Sequence, residues 1–296
     1  MKGMGFKMIL GAIEAGGTKM VCAIGDESGK IFEQVSIPTT TPEETMPQIY
    51  EYFKDKKIEA VGVACFGPID LNKSSETYGY ILHTPKLAWR GFDMAGEVKK
   101  ALGVPVGFDT DVNGSLLGEV TYGASKGIQN AVYFTIGTGV GAGIMTNGKL
   151  LHGMLHPEGG HFMTSVRADD PYKGRCPSHG TCLEGMAAGP AIEERWGKSA
   201  KELSNDPKVW DLEAYYLAQA VVNCVMLLSS ERVIFGGGVM HQQQLFPLIR
   251  QKTLEMINGY IDTPLLRDID NYIVPASLHD DQGIMGCLKL ALDEIG

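Results

Sequence analysis

The sequence predicts an α/β protein of two lobes built on a duplicated core. A short apolar run, a glycine-rich turn and a second apolar run occur twice, about 120 residues apart. Around them, strand-like apolar runs alternate with segments of helical spacing. Glycine supplies 38 of 296 residues, well above the usual share of about 7%, so many backbone positions need positive φ or a close neighbour.

The elements follow in order. Apolar residues 8–13 lead into Glu14-Ala15-Gly16-Gly17-Thr18-Lys19, and residues 20–24 resume the apolar pattern before the turn Asp26-Glu27-Ser28-Gly29, which reads as strand, glycine turn, strand. Thr41-Pro42-Glu43-Glu44 has the N-cap, first-position proline and N3 acid of a helix start, with Ile49, Tyr52 and Phe53 at helical spacing behind it. Residues 60–66 and 104–108 read as buried strands, and a helix is expected from Leu116 towards the second hairpin. That hairpin runs from residues 131–136 through Gly137-Thr138-Gly139-Val140-Gly141-Ala142-Gly143 to a turn at Thr146-Asn147-Gly148. Asp211 is expected to cap a helix reaching Ser230, apolar on most faces and therefore central. Val233-Ile234-Phe235 then forms a strand that meets Gly236-Gly237-Gly238, and Ile284, Cys287, Leu288, Ala291, Leu292 and Ile295 share one helical stripe that needs a packing partner.

Composition narrows the function classes. Hydrophobic residues at 44% and charged residues at 21% fit a soluble globular chain rather than a disordered or membrane one. A formal net charge of -9 works against a general nucleic-acid or anionic-membrane surface, so anionic ligands need local sites. The basic start Met1-Lys2-Gly3-Met4-Gly5-Phe6-Lys7 is followed by too few apolar residues for a secretory core. The longest apolar stretch, 218–228, contains Gln219 and Asn223 and falls short of the roughly 20 residues of a membrane span. A cytoplasmic setting is expected. Cys22, Cys65, Cys224 and Cys287 stand alone among apolar neighbours, as small core residues do in a reducing compartment.

Neither glycine turn is a familiar dinucleotide or Walker cradle. Gly137-x-Gly139-x-x-Ala142, with Glu158 downstream, satisfies a loose dinucleotide fingerprint, but that fingerprint must open a helix and here a hairpin turn follows too soon. No Gly-Lys-Ser/Thr follows at the Walker spacing. A different phosphate cradle fits: glycines expose consecutive backbone N–H groups, and Thr18, Lys19 and Thr138 add hydroxyl and ammonium donors. Taken singly, each turn could simply be a turn. Asp109-Thr110-Asp111-Val112-Asn113 sits where a strand ends and a helix begins, the usual ligand edge of an α/β sheet. Asp111 there is either a proton acceptor or a helix cap. His161 and Cys176-x2-His179-x2-Cys182 supply two imidazoles and two thiols, a credible closed Cys₂His₂ zinc site. His152, His156 and His241 show no comparable spacing and are expected to face solvent or be satisfied locally.

Together these motifs resemble the ROK family of sugar kinases, in the actin-like ATPase (ribonuclease H-like) superfamily. The first phosphate motif is similar to Ile13-Glu14-Ala15-Gly16-Gly17-Thr18-Lys19, the second to Thr135-Ile136-Gly137-Thr138-Gly139-Val140-Gly141, and the adenosine-side motif to Phe235-Gly236-Gly237-Gly238-Val239-Met240. Glu14 stands where most members carry Asp, and with Pro157-Glu158-Gly159-Gly160-His161 it looks most like the fructokinase branch. The resemblance implies an ATP-dependent hexose kinase, with fructose the expected sugar and fructose 6-phosphate the product. It implies Asp111 as general base, and Asn113, Glu158, His161 and Glu184 as sugar contacts. Gly16, Gly17, Thr18, Lys19, Gly137, Thr138, Gly139, Pro190, Gly236, Gly237, Gly238 and Val239 are implied on the nucleotide. It also implies Mg²⁺ with ATP, a structural Zn²⁺ on His161, Cys176, His179 and Cys182, and a homodimer. Asp109-Thr110 departs from the commoner Glu-Asn pair, and the metal loop departs by one His for Cys and a compressed spacing. The expected lobes are a small one of residues 1–115 with 283–296 and a large one of residues 116–282, which carries the zinc loop and the nucleotide contacts. Mannose, glucose or N-acetylhexosamine kinases share this scaffold. From another class, a sugar-sensing ROK repressor would need an added helix-turn-helix, for which little chain precedes residue 8, and the acidic charge disfavours it.

Overall fold

The computed structural model describes residues 8–296, so the basic start at positions 1–7 lies outside the described residues. The chain divides into two units. The first comprises the described residues up to Gly127 together with His152–His156 and Ser277–Gly296, and the second comprises Ile128–Leu151 and Pro157–Ala276.

In the first unit β1 (Leu10–Ala15), β2 (Lys19–Gly25), β3 (Ile31–Pro38), α1 (Pro42–Phe53), β4 (Ala60–Cys65), α2 (Met94–Leu102), β5 (Val106–Thr110) and α3 (Asp111–Thr121) follow one another. The sheet order is β3-β2-β1-β4-β5, with β1 antiparallel to β2 and parallel to β4, and β5 parallel to β4. β1 and β4 are covered on both faces, which is why they read as continuous small apolar runs rather than alternating ones. Residue Thr41 occupies the predicted N-cap of α1, with Pro42 behind it, although its hydroxyl makes no capping bond. Ile13, Met20, Ile49, Val63, Trp89 and Met94 form the centre of this core.

The second unit repeats the plan. It contains β6 (Ala131–Ile136), β7 (Val140–Thr146), β8 (Lys149–Leu150), α4 (Leu183–Ala187), α5 (Gly189–Trp196), α6 (Pro207–Asn223), β9 (Arg232–Gly236), α7 (Leu245–Ile257), α8 (Pro264–Arg267), α9 (Ile269–Tyr272) and β10 (Ile273–Pro275). Its sheet order, β10-β9-β6-β7-β8, matches the first strand for strand: β6 is antiparallel to β7 and parallel to β9, as β1 is to β2 and β4. Asn147 and Gly148, at φ 50° and 72°, make the expected hairpin turn into β8.

Several boundaries differ from the sequence expectation. Helix α3 starts at Asp111 rather than Leu116 because Thr110 caps it, its Oγ1 accepting the Asn113 N–H at 3.1 Å. A domain cut at 115 would split that helix. A return to the first unit at 283 would omit Ser277, which donates from N and Oγ to the fully buried Glu119 of α3 at 2.6 and 2.7 Å. Helix α6 is capped by Asp206, with Pro207 at its first position, and passes at Asn223 into a π-type turn at Cys224–Leu228. Asp211 lies inside it, paired with Arg167 and Lys252 at 2.6 Å each.

Helix α10 (Gln282–Asp293) returns the chain to the first unit. Ile284, Cys287, Leu288 and Ala291 of the expected stripe are buried, whereas Leu292 is half-buried and Ile295 lies past the helix end, exposed. Its packing partner is α3, against which it lies backbone to backbone: a Cβ on Gly286 would fall 1.8 Å from the Gly114 carbonyl oxygen.

Candidate functional site

Three groups converge at the C-terminal ends of β1 and β5 in the first unit. The turn after β1 is closed by Gly16, whose N–H donates to the Lys19 carbonyl at 3.1 Å and whose own carbonyl accepts from Thr39 Oγ1 at 2.8 Å. A Cβ on Gly17 would fall 2.9 Å from Lys86 Cε, which places the aliphatic end of that side chain over the turn. Thr18 and Lys19 are exposed. Glu14, two residues before the turn, lies against the first turn of α10, where Gly283 makes room for its carboxyl. Burial, then the charges of Asp111, Asp281 and Asp280, push Glu14 up to about 7 against the pull of Lys19.

Asp111 is the first residue of α3 and is half-buried, its Oδ1 accepting the Val112 N–H at 2.9 Å. It is not the helix cap; Thr110 is. Behind it Asn113, almost fully buried, donates from Nδ2 to Asp109 Oδ1 at 2.6 Å. Asp109 Oδ1 also accepts the Thr110 N–H at 2.8 Å, and Oδ2 accepts from His152 Nε2 at 2.8 Å. That hydrogen bond to Asp109 raises the His152 imidazole above its usual range, against partial burial.

In the second unit the candidate nucleotide residues cluster at the ends of β6 and β9. Gly137, Thr138 and Gly139 form the turn, with the Gly137 N–H donating to the Gly139 carbonyl at 2.9 Å. Gly189, which opens α5 just before Pro190, donates its N–H to the Gly137 carbonyl at 2.8 Å and lies beside Val239. Gly237, at φ 90°, is pressed on the Ile136 backbone, where a Cβ would fall 2.6 Å from the carbonyl oxygen. Gly236 packs on the Tyr133 hydroxyl, while Gly238 and Gly137 have no atom within 4 Å of a built Cβ, open space that a ligand could approach.

The same unit gathers four metal-type donors. His161, Cys176, His179 and Cys182 offer one ligand atom each, all within 4.8 Å of one another. Cys176 Sγ lies 3.8 Å from His161 Nδ1 and 3.6 Å from His179 Nδ1, and Cys182 Sγ lies 3.5 Å from His161 Nδ1. Tetrahedral bonds of about 2.3 Å to sulfur and 2.0–2.1 Å to nitrogen require S···N separations of about 3.5 Å, so the donors fit such a cation. His161 turns Nε2 to Glu184 Oε1 at 3.9 Å, and Glu184 Oε2 accepts the Val140 N–H at 3.1 Å. Glu184 therefore bridges the donor cluster and the glycine turn. Glu158 is exposed, and its carbonyl accepts the His161 N–H at 2.9 Å. Gly160 seats this short turn on β7, where a Cβ would fall 1.8 Å from the Val140 carbonyl oxygen.

The ROK family model matches residues 10–294. The chain belongs to the ROK family. It is similar to the fructokinase of Pediococcus pentosaceus, 46% identical over 284 residues that cover 96% of this chain and 98% of the relative. It is also similar to the fructokinase of Lactococcus lactis subsp. cremoris, 44% identical over 283 residues, 95% and 96% of the two chains. The ROK hexokinase structure from Thermus thermophilus superimposes with a TM-score of 0.80 at 24% identity, covering 97% of this chain and 99% of that one. The fold is thus that of the actin-like ATPases, in which two like sheets each carry a glycine turn.

Within this ROK fold each unit assembles its own part of the motif set. The first brings Gly16, Gly17, Thr18 and Lys19 to one end of β1 and Asp111 and Asn113 to one end of β5; the second brings Gly137–Gly139, Pro190 and Gly236–Val239 together, and separately His161, Cys176, His179 and Cys182. One expectation about the histidines fails: His156 is buried, its Nε2 accepting the Ile69 N–H at 3.2 Å. His152 is exposed as expected, and its Nε2 also reaches the buried Asp109. Sequence reasoning missed the pairing of Asp109 with His152, and Lys86 and Gly283, because these meet their partners only across the fold. All six cysteines are buried and unpaired, and among the described residues no helix is long and apolar enough to cross a membrane.

Proposed function

We propose that the chain is an ATP-dependent fructokinase, transferring the γ-phosphoryl group of ATP to a hydroxyl of D-fructose to give fructose 6-phosphate and ADP. The observation that carries this reading is the identity of 44–46% to fructokinases over nearly the whole of both chains, joined to a carboxylate at the head of α3. Phosphoryl transfer asks little covalent chemistry of a protein; it needs positioning, charge screening and a proton acceptor. Asp111 takes the proton from the attacking hydroxyl. Asn113, Glu158, His161 and Glu184 present amide, carboxylate and imidazole groups suited to sugar hydroxyls. Backbone N–H groups of Gly17 and Gly139, with Thr18, Lys19 and Thr138, receive the phosphates on turns that Gly16 and Gly137 close, and Pro190, Gly236, Gly237, Gly238 and Val239 receive the rest of the nucleotide.

Mg²⁺ enters with ATP and screens its phosphates. The crowd of carboxylates around Glu14, namely Asp111, Asp280 and Asp281, supplies the hard oxygen groups such an ion favours. The four N/S donors hold one Zn²⁺, and with every position filled by protein its role is structural, fixing the His161 end of the Glu158–His161 turn. A homodimer in a reducing cytoplasm completes the reading, the latter supported by the unpaired cysteines.

A coupled ADP-release assay over fructose, mannose, glucose and N-acetylglucosamine tests it. Fructose should have the highest kcat/KM, because a site built for one set of hydroxyls leaves buried polar groups unpaired with another. A clear preference for any other sugar rejects the assignment.

A further inference from the structure

The Asp109–His152 pair lies outside the groups that the proposed reaction uses, yet it touches one of them. Asp109 is only 3% exposed, and a buried carboxylate is costly unless donors meet its lone pairs. Three do: the Thr110 N–H and Asn113 Nδ2 at Oδ1, and His152 Nε2 at Oδ2. Because Asn113 directs its amide nitrogen at Asp109, the carboxylate sets the plane of the carboxamide and hence where Asn113 Oδ1 points. His152 in turn is supplied by His152–His156, five residues that the first unit takes from a stretch of chain whose flanks, Leu151 and Pro157, belong to the second. The other end of that segment is anchored by the buried His156 on the Ile69 N–H at 3.2 Å. An anchored segment, a donor on a buried carboxylate and an oriented amide thus form one chain of contacts ending two residues from Asp111.

We propose that His152 is a positioning residue for the acceptor sugar: its Nε2 holds Asp109 in the orientation that fixes the Asn113 carboxamide beside Asp111. The proposal rests on the reading of Asn113 as a sugar contact. Without the imidazole, Asp109 Oδ2 loses its donor, the carboxylate turns towards another partner, and the carboxamide moves with it. Displacements of about 1 Å in such a constellation can cost about a hundredfold.

The test is steady-state kinetics with fructose and ATP varied separately in His152→Phe, His152→Gln, Asn113→Ala and the Phe/Ala double variant. His152→Phe should raise the fructose KM about tenfold to a hundredfold while the ATP KM stays within about twofold. His152→Gln, which keeps an N–H donor, should recover most of the loss. Because the effect runs through Asn113, the double variant should be no worse for fructose than Asn113→Ala alone. An unchanged fructose KM in His152→Phe, an equal rise in both KM values, or multiplicative effects in the double variant would overturn the proposal. If the Phe variant does not fold, His152→Ala carries the same comparisons, with calorimetric fructose titration as the readout. The two readings fail differently: Asn113→Ala with a normal fructose KM removes the sugar-contact reading, whereas a raised value there beside a normal His152→Phe removes only this one.

Discussion

Glu14→Gln isolates a carboxyl of the first unit that folding makes harder to ionise. Burial and three neighbouring aspartates hold its carboxyl at about 7, against an ordinary value of 4.5. The folded protein therefore keeps the proton that the unfolded chain has released. With the folded value above the unfolded one, its contribution to stability is full below pH 4.5, falls as pH rises towards 7, and is level beyond. A gap of this size is worth about 3 kcal/mol at about 1.4 kcal/mol per unit. Glutamine matches the protonated side chain in shape and cannot titrate. Urea unfolding of ligand-free protein at intervals from pH 4.5 to 8 should show the Gln variant gaining on the parent by about 1.4 kcal/mol per pH unit and levelling near about 3 kcal/mol above neutrality. Contributions of groups that do not interact with Glu14 cancel in the difference. A difference that stays flat across this range would refute the reasoning, since it would mean that Glu14 ionises in the fold as it does in the unfolded chain.

The other predictions concern the site directly. Asp111→Asn should fold, bind fructose and lose about 10²–10⁴-fold in kcat; a near-normal kcat at saturation leaves Asp111 no part in proton transfer. Elemental analysis should find one zinc per chain, and chelation or Cys176→Ser should weaken fructose binding more than ATP binding in separate titrations, while an active metal-free preparation rejects the structural role. Gly160→Ala puts a Cβ 1.8 Å from the Val140 carbonyl oxygen, so the turn carrying Glu158 and His161 must lift from β7, lowering stability by about 1–3 kcal/mol in a denaturant melt; an unchanged midpoint contradicts the close seating.

What the sequence determined by itself was local chemistry and its repetition. The glycine turns after β1 and β6, the Asn147-Gly148 hairpin, the Thr41-Pro42 helix start and the Cys176-x2-His179-x2-Cys182 spacing all act within a few residues, where backbone preference and short loops dominate. The duplication was legible because both halves use the same turn chemistry, and it proved to be a duplication of sheet order as well. What only the tertiary structure decided was where local signals compete or where partners are distant. The start of α3 moves from the expected Leu116 to Asp111 through the Thr110 cap, and the glycines Gly118 and Gly286 let the α10 and α3 backbones approach, a contact no local signal announces. Asp211 and Asp206-Pro207 both offer a cap signal in the sequence, and the structure selects Asp206, which accepts the Lys208 N–H at 3.0 Å, while Asp211 pairs with Arg167 and Lys252. The raised carboxyl of Glu14 depends on its burial, then on Asp111 and the aspartates before α10, and the His152–Asp109 bond joins residues 43 positions apart. No periodicity encodes such contacts, because charge and burial act through space and the chain distance between partners is set by topology.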